Sequence, residues 1–178
     1  MGKIINSNGK AIDVLNLTAE DITAEDIILA LPNICRYGGR VKTHYSVAQH
    51  CSELAKYLFT NGQADLARLA ILHDACETYI GDVIYPIKVQ IPAFEEIETR
   101  LMNIIFDKFN VDTTRFDSFN YYDKNIVVNE MKLLGIYEEN KELVTVEGLQ
   151  ELPDLTIHYK SISNARVEFK ELFEALIR

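Results

Sequence analysis

Apolar residues recur at helical spacing along most of this chain. From Val47, the positions Cys51, Leu54, Ala55 and Leu58 return every three or four residues, the interval that places side chains on one helix face. Ser46 stands where an N-cap belongs, and Asn61-Gly62 where a C-cap belongs. The same spacing predicts a helix from Ala64 to Ile80, with Leu66, Leu69, Ala70 and Leu72 inward, broken by Gly81-Asp82. A further helix follows Pro92, carrying Phe94, Ile97, Leu101, Ile105 and Phe109. Another runs from Phe119 to Asn140 with Ile126, Val127, Met131 and Leu134, and a last one covers Ser163 to Ile177.

The segments between are shorter. Asn6-Ser7-Asn8-Gly9 is a turn signal and predicts a short hairpin or an extended arm over residues 1–16. Thr-Ala-Glu-Asp occurs at Thr18–Asp21 and again at Thr23–Asp26. Each copy is an N-cap pattern, so the pair predicts two successive helix starts, the second running through Ile27 and Leu31 to Pro32. Residues 35–43 form a loop with two glycines and three cations, Arg36, Arg40 and Lys42. Pro86 and Pro92 bracket a connector, and Leu143-Val144-Thr145-Val146 reads as a short strand. Helices dominate, which predicts an all-α fold: a single-domain orthogonal helical bundle over residues 1–178.

Composition narrows the function. Apolar residues make up 48% and charged residues 25%, a globular mixture. No apolar stretch approaches the roughly 20 residues of a membrane span, and the N-terminus lacks a signal-peptide core. The three cysteines, Cys35, Cys51 and Cys76, are odd in number and form no Cys-x-x-Cys pair. They read as reduced thiols, so a cytoplasmic protein without a membrane partner is expected. The net charge of −9 repels a nucleic-acid polymer. A small phosphorylated substrate stays compatible, because a metal and a few local cations set the field inside a pocket.

The candidate chemistry centres on His73-Asp74. An aspartate inside an apolar helical run is costly unless it is paired or metal-bound. Glu77 follows three residues later, on the same helix surface. His50, on the preceding helix, offers a second imidazole. Asp123 is the best candidate for a ligand from a further helix, with Glu130 two turns beyond it. Two imidazoles with carboxylates suit a hard-to-borderline divalent ion, which lowers the pKa of a bound water. Alone, His50 reads as a packed histidine and Asp123 as a solvated surface residue. The combination points to a metal. His44 reads as a polar loop residue and His158 as a surface or core histidine.

The order His50 … His73-Asp74 … Asp123 resembles the HD-domain superfamily of metal-dependent phosphohydrolases. Tyr45-Ser46-Val47-Ala48-Gln49-His50 is similar to the first-ligand helix of its small nucleotide-hydrolysing members. Leu72-His73-Asp74-Ala75-Cys76-Glu77-Thr78-Tyr79-Ile80-Gly81-Asp82 is similar to their second motif, and Asp123 followed by Asn129-Glu130-Met131 to their last-ligand helix. Arg36-Tyr37-Gly38-Gly39 resembles their Arg-aromatic loop. The resemblance covers roughly residues 30–140. It implies an HD-type bundle with His50, His73, Asp74 and Asp123 as metal ligands. Glu77 is implied as the catalytic carboxylate and Asp82 as an assistant in acid–base work. Arg36 and Lys88 are expected on phosphate oxygens, and Tyr37 against a base or sugar. The ion is a divalent metal: Co, Mn, Zn, Mg or Fe.

The implied activity is hydrolysis at the 5′ phosphate of (deoxy)nucleotides. Two forms remain open, a dNTP triphosphohydrolase of the dATP type releasing triphosphate and a 5′-deoxynucleotidase acting on monophosphates. Arg36, Arg40 and Lys42 lean toward the longer phosphate tail. A phosphodiesterase for an alarmone or cyclic nucleotide, and a non-catalytic nucleotide-binding module, are the alternatives. The chain departs from related monophosphatases in having no tryptophan, with Tyr37 in its place. It also lacks the Gly-Tyr-Pro extension of cyclic-dinucleotide phosphodiesterases. The resemblance further implies a homo-oligomer, for which Phe169, Phe173 and Leu176 of the last helix offer an apolar surface.

Overall fold

Three hydroxyls start three helices. Thr23, Ser46 and Ser161 sit in extended backbone, and each oxygen accepts from the N–H three residues on, at 3.0, 3.1 and 3.2 Å. Such a cap satisfies a donor that the first helical turn leaves free. A computed structural model describes residues 2–177 and is mostly helical. A hairpin of β1 (Lys3–Ile5) and β2 (Ala11–Asp13) leads into α1 (Ala24–Ala30), α2 (Val47–Thr60) and α3 (Ala64–Leu72). Two single-turn helices follow, α4 (Glu77–Ile80) and α5 (Tyr85–Lys88). The chain closes with α6 (Pro92–Lys108), α7 (Phe116–Leu133), α8 (Lys141–Val146) and α9 (Ile162–Leu176).

The core is built around α2, which packs on α3 and α9. Cys51, Leu54, Ala55 and Leu58 of α2 are wholly buried against Leu66, Leu69 and Leu72 of α3 and Phe169 of α9. Burying one such leucine or phenylalanine contributes roughly 1.5–3 kcal/mol. Cys51 and Cys76 are buried and unpaired, acting as small apolar residues. The hairpin is antiparallel, pairing Ile4 with Ile12, and the Asn6 side chain closes its turn by accepting from the Lys10 N–H at 2.8 Å. No described helix is long and apolar enough to cross a membrane.

Several local expectations need correction. The first Thr-Ala-Glu-Asp forms only a turn, because Asp21 folds back to accept from the Thr18 backbone and hydroxyl. The helix expected over 64–80 ends at Leu72, and residues 73–76 form turns before α4. The helix after Asp112 begins at Phe116 and stops at Leu133, where Gly135 takes a φ of +67°. Leu143–Val146 is helical, with Val144 packed against Val128 and Met131 of α7. The Pro86 connector is itself a helical turn. Phe169 and Phe173 are core residues, so they offer no surface to a second subunit.

Candidate metal centre

The caps and breaks just described place the ligands. Ser46 starts α2 so that His50 falls one turn in, wholly buried. Its Nδ1 donates to Glu130 Oε1 of α7 at 2.6 Å. His73 follows the last residue of α3, and its Nδ1 donates to the Ala70 carbonyl at 2.8 Å. A carbonyl oxygen only accepts, so the proton of His73 belongs on Nδ1; a carboxylate makes the same demand of His50. Both Nε2 atoms are then bare, and they face one another at 3.0 Å.

Two carboxylates close the group. Asp74 Oδ2 lies 3.2 Å from His73 Nε2 and 3.7 Å from His50 Nε2. Asp123 Oδ1, from α7, lies 3.2 Å from each Nε2. Four acceptors converge with no proton between them, an arrangement that repels itself unless a cation enters. His50, His73 and Asp74 form a group able to hold a metal ion. Two neutral imidazoles and two carboxylates match the donor set of a divalent ion. Protons are the competitor. Burial opposes charging of both imidazoles, yet Glu130 and Asp123 raise the pKa of His50, and Asp74 and Asp123 raise that of His73 further. Burial works against ionising Asp74 and Asp123 too, but the His73 imidazole holds both below the usual carboxylate range.

Glu130 is the residue whose role the sequence analysis missed. Besides His50 it serves the loop before α2: the Tyr37 hydroxyl donates to its Oε2 at 2.6 Å, and Arg36 Nη2 lies 3.6 Å away. Burial alone would raise its pKa, but Arg36 and His50 bring it down to about 2. The signal was present, since Glu130 lies two helical turns from Asp123 on the same face of α7. Arg36 also reaches Asp74 Oδ2, through Nη1 at 3.3 Å. Tyr37 pays for its position with a left-handed backbone, φ +59°, which costs roughly 1–2 kcal/mol in a non-glycine residue. Its hydroxyl is engaged by Glu130 rather than open to a substrate. Gly38 next to it permits the Arg40 side chain to fold close, 2.7 Å from where a Cβ would stand. Arg40 and Lys42 are exposed.

Glu77 is buried beside this group, and its Oε2 has no hydrogen-bond partner. Burial first, then Asp74 and Asp82, push its pKa well above the usual value. Asp82 is raised also, by burial and by Asp74. Lys88 pairs with Glu98 of α6 at 2.6 Å. A cleft of about 450 Å³ adjoins the group, with His73, Asp74 and Asp123 at one end, Lys88 on its lining, and α6 and the start of α7 as its far wall. The structure thus assembles His50, His73, Asp74 and Asp123, sets Arg36 and Glu77 against them, and places Lys88 on the same cleft.

The fold and site define a helical protein with a candidate metal centre made by residues distant in sequence. No family model matches the chain. YfdR of Escherichia coli, an uncharacterized protein, is 31% identical over 139 residues, covering 76% of this chain and 74% of YfdR. The chain belongs to the same family as YfdR. The uncharacterized protein RCAP_rcc00048 of Rhodobacter capsulatus is 33% identical over 111 residues, covering 58% of this chain and 56% of that protein.

Proposed function

We propose that the protein is an HD-type, divalent-metal-dependent phosphohydrolase acting at the 5′ phosphate of (deoxy)nucleotides. The observation that carries this reading is the meeting of two bare imidazole nitrogens and two carboxylate oxygens beside a buried, unpartnered glutamate. An ion held there polarises a phosphoryl oxygen and acidifies water. The residues supply the rest. Glu77 in its carboxylate form takes a proton from the attacking water; its surroundings favour the protonated form that results, which returns a proton to the leaving 5′ oxygen, with Asp82 assisting. Water's oxygen bonds to phosphorus as the phosphorus–oxygen ester bond breaks. Arg36 and Lys88 offset the phosphate charge, Lys88 turning from Glu98 to do so. Arg40 and Lys42 are exposed, and the mono- and triphosphate forms are separated by the products.

The test is product analysis with Co²⁺ or Mn²⁺, giving the protein dAMP and dATP separately. Deoxyadenosine and free phosphate from dAMP identify a 5′-deoxynucleotidase. Deoxyadenosine and intact triphosphate from dATP identify a triphosphohydrolase. No turnover of either, of the other deoxynucleotides, or of ppGpp and cyclic nucleotides would remove the enzyme reading.

A further inference from the structure

The far wall of the cleft differs in chemistry from the metal end. On α7, Phe116, Asn120 and Asp123 follow one another at i, i+4 and i+7, so they share a face. The helical rise places Asn120 about 4.5 Å and Phe116 about 10 Å along the axis from Asp123. On α6, Asn103 meets them across the cleft. Neither the Asn103 nor the Asn120 side chain makes a hydrogen bond among the described residues, although both line the cleft. Their neighbours on α7 behave otherwise. Asn125 donates to the Tyr121 carbonyl at 2.7 Å and accepts from the Gln150 N–H at 2.6 Å. Asn129 donates to the Leu152 and Leu155 carbonyls at 3.0 and 2.9 Å. Asn125 and Asn129 are buried and engaged, whereas Asn120 is half-buried and Asn103 exposed, so the amides of these two remain free for a ligand.

The aromatic and charge patterns agree with this division. Phe116 packs on Phe106 at 6.0 Å and on Phe119 at 5.7 Å between ring centroids, and Phe119 packs on His73 at 4.9 Å. A supported row of rings therefore runs from the ligand to the cleft wall. Apart from Lys88, the charged residues of the cleft are carboxylates. That lysine, on α5, is already paired with Glu98 of the α6–α7 wall. The amide and aromatic wall suits a flat, uncharged group with adjacent donors and acceptors on its edge.

We infer that Asn103, Asn120 and Phe116 form a nucleobase subsite that sets which base the protein accepts. The inference rests on the nucleotide reading above and assigns the half of the substrate that the metal centre does not touch. An asparagine amide offers a donor and an acceptor together, which matches a base edge, and a phenylalanine face stacks on a ring.

Deoxynucleosides test this without any hydrolysis. Calorimetric titration of the Mn²⁺-treated protein with the four deoxynucleosides should show binding and an order of preference. The double variant Asn103→Ala, Asn120→Ala should bind the preferred nucleoside about tenfold more weakly and lose most of the preference between bases. Thermal melts of both proteins report whether the variant is folded. If it melts early, Asn120→Asp serves instead: it keeps the size, removes the donor, and should change the order of preference. An unchanged order in the folded variants, or no nucleoside binding at all, would overturn the subsite. The nucleotide-hydrolase reading fails separately, when no phosphate ester is turned over. Base-selective nucleoside binding that depends on these amides would stand even then.

Discussion

Glu77 and Glu130 are both buried glutamates within reach of one centre, yet their surroundings drive them in opposite directions. Asp74 and Asp82 join burial in favouring the neutral form of Glu77, while Arg36 and His50 hold Glu130 ionised. Their substitutions should therefore fail differently. Glu77→Gln should retain metal, measured by elemental analysis, and lose turnover by roughly a hundredfold or more. A fully active Glu77→Gln would end the proton-transfer role. Glu130→Gln removes the charge that fixes His50 Nδ1–H. It should weaken metal affinity by about 10- to 100-fold in a chelator competition. At this scale the sequence was informative for the side chains that converge, because His73-Asp74 within an apolar run is chemically conspicuous. It was less so for Glu130, whose meaning depends on Tyr37 and Arg36 arriving from a loop 93 residues away along the chain for the tyrosine.

Helices with clear caps and stripes were legible as elements. Ser46, Thr23 and the α9 apolar stripe mark their boundaries through local spacing alone. The exceptions have local physical causes. Periodicity continues through His73, but the Nδ1–H of His73 takes the Ala70 carbonyl that Asp74 N–H would use in a continuing helix, and Ala75 N–H bonds to Leu72 rather than to Ile71. The interruption turns Asp74 and His73 toward the same point. Leu143–Val146 carries β-branched residues, yet Val144 gains a place against α7, and tertiary packing prevails over propensity. The prediction at this scale concerns the start of α2. Ser46→Ala should cost about 1 kcal/mol in urea unfolding, since the Gln49 N–H loses its acceptor inside the protein. A variant as stable as the parent would show that this cap contributes nothing.

Across the whole molecule, α9 is fastened to α2 by charge as well as by its core face. Lys56 and Lys160 both pair with Glu168 and with Glu53, joining α2, α9 and the segment before α9. Burial raises the pKa of Glu168, but the two lysines outweigh it and the net shift is downward. A depressed folded pKa means stability present above the ordinary carboxylate range and lost as pH falls through the folded value. The melting difference between the parent and Glu168→Gln should thus be full at neutral pH and shrink below about pH 4. A difference independent of pH would assign the effect to packing. The mostly helical architecture was readable from the sequence, but this clasp was not, because its members share no spacing along the chain. The placement of the ligands carries a consequence for unfolding. His50 and Asp123 are 73 residues apart, with His73 between them. An ion held by all of them would act as a reversible crosslink between α2, the end of α3 and α7. It would restrain the chain in the manner of a disulfide, by limiting how far the ends of long loops can separate. Departure of the ion through the cleft would free these segments to separate, so the chain stripped of metal should unfold faster than the loaded one.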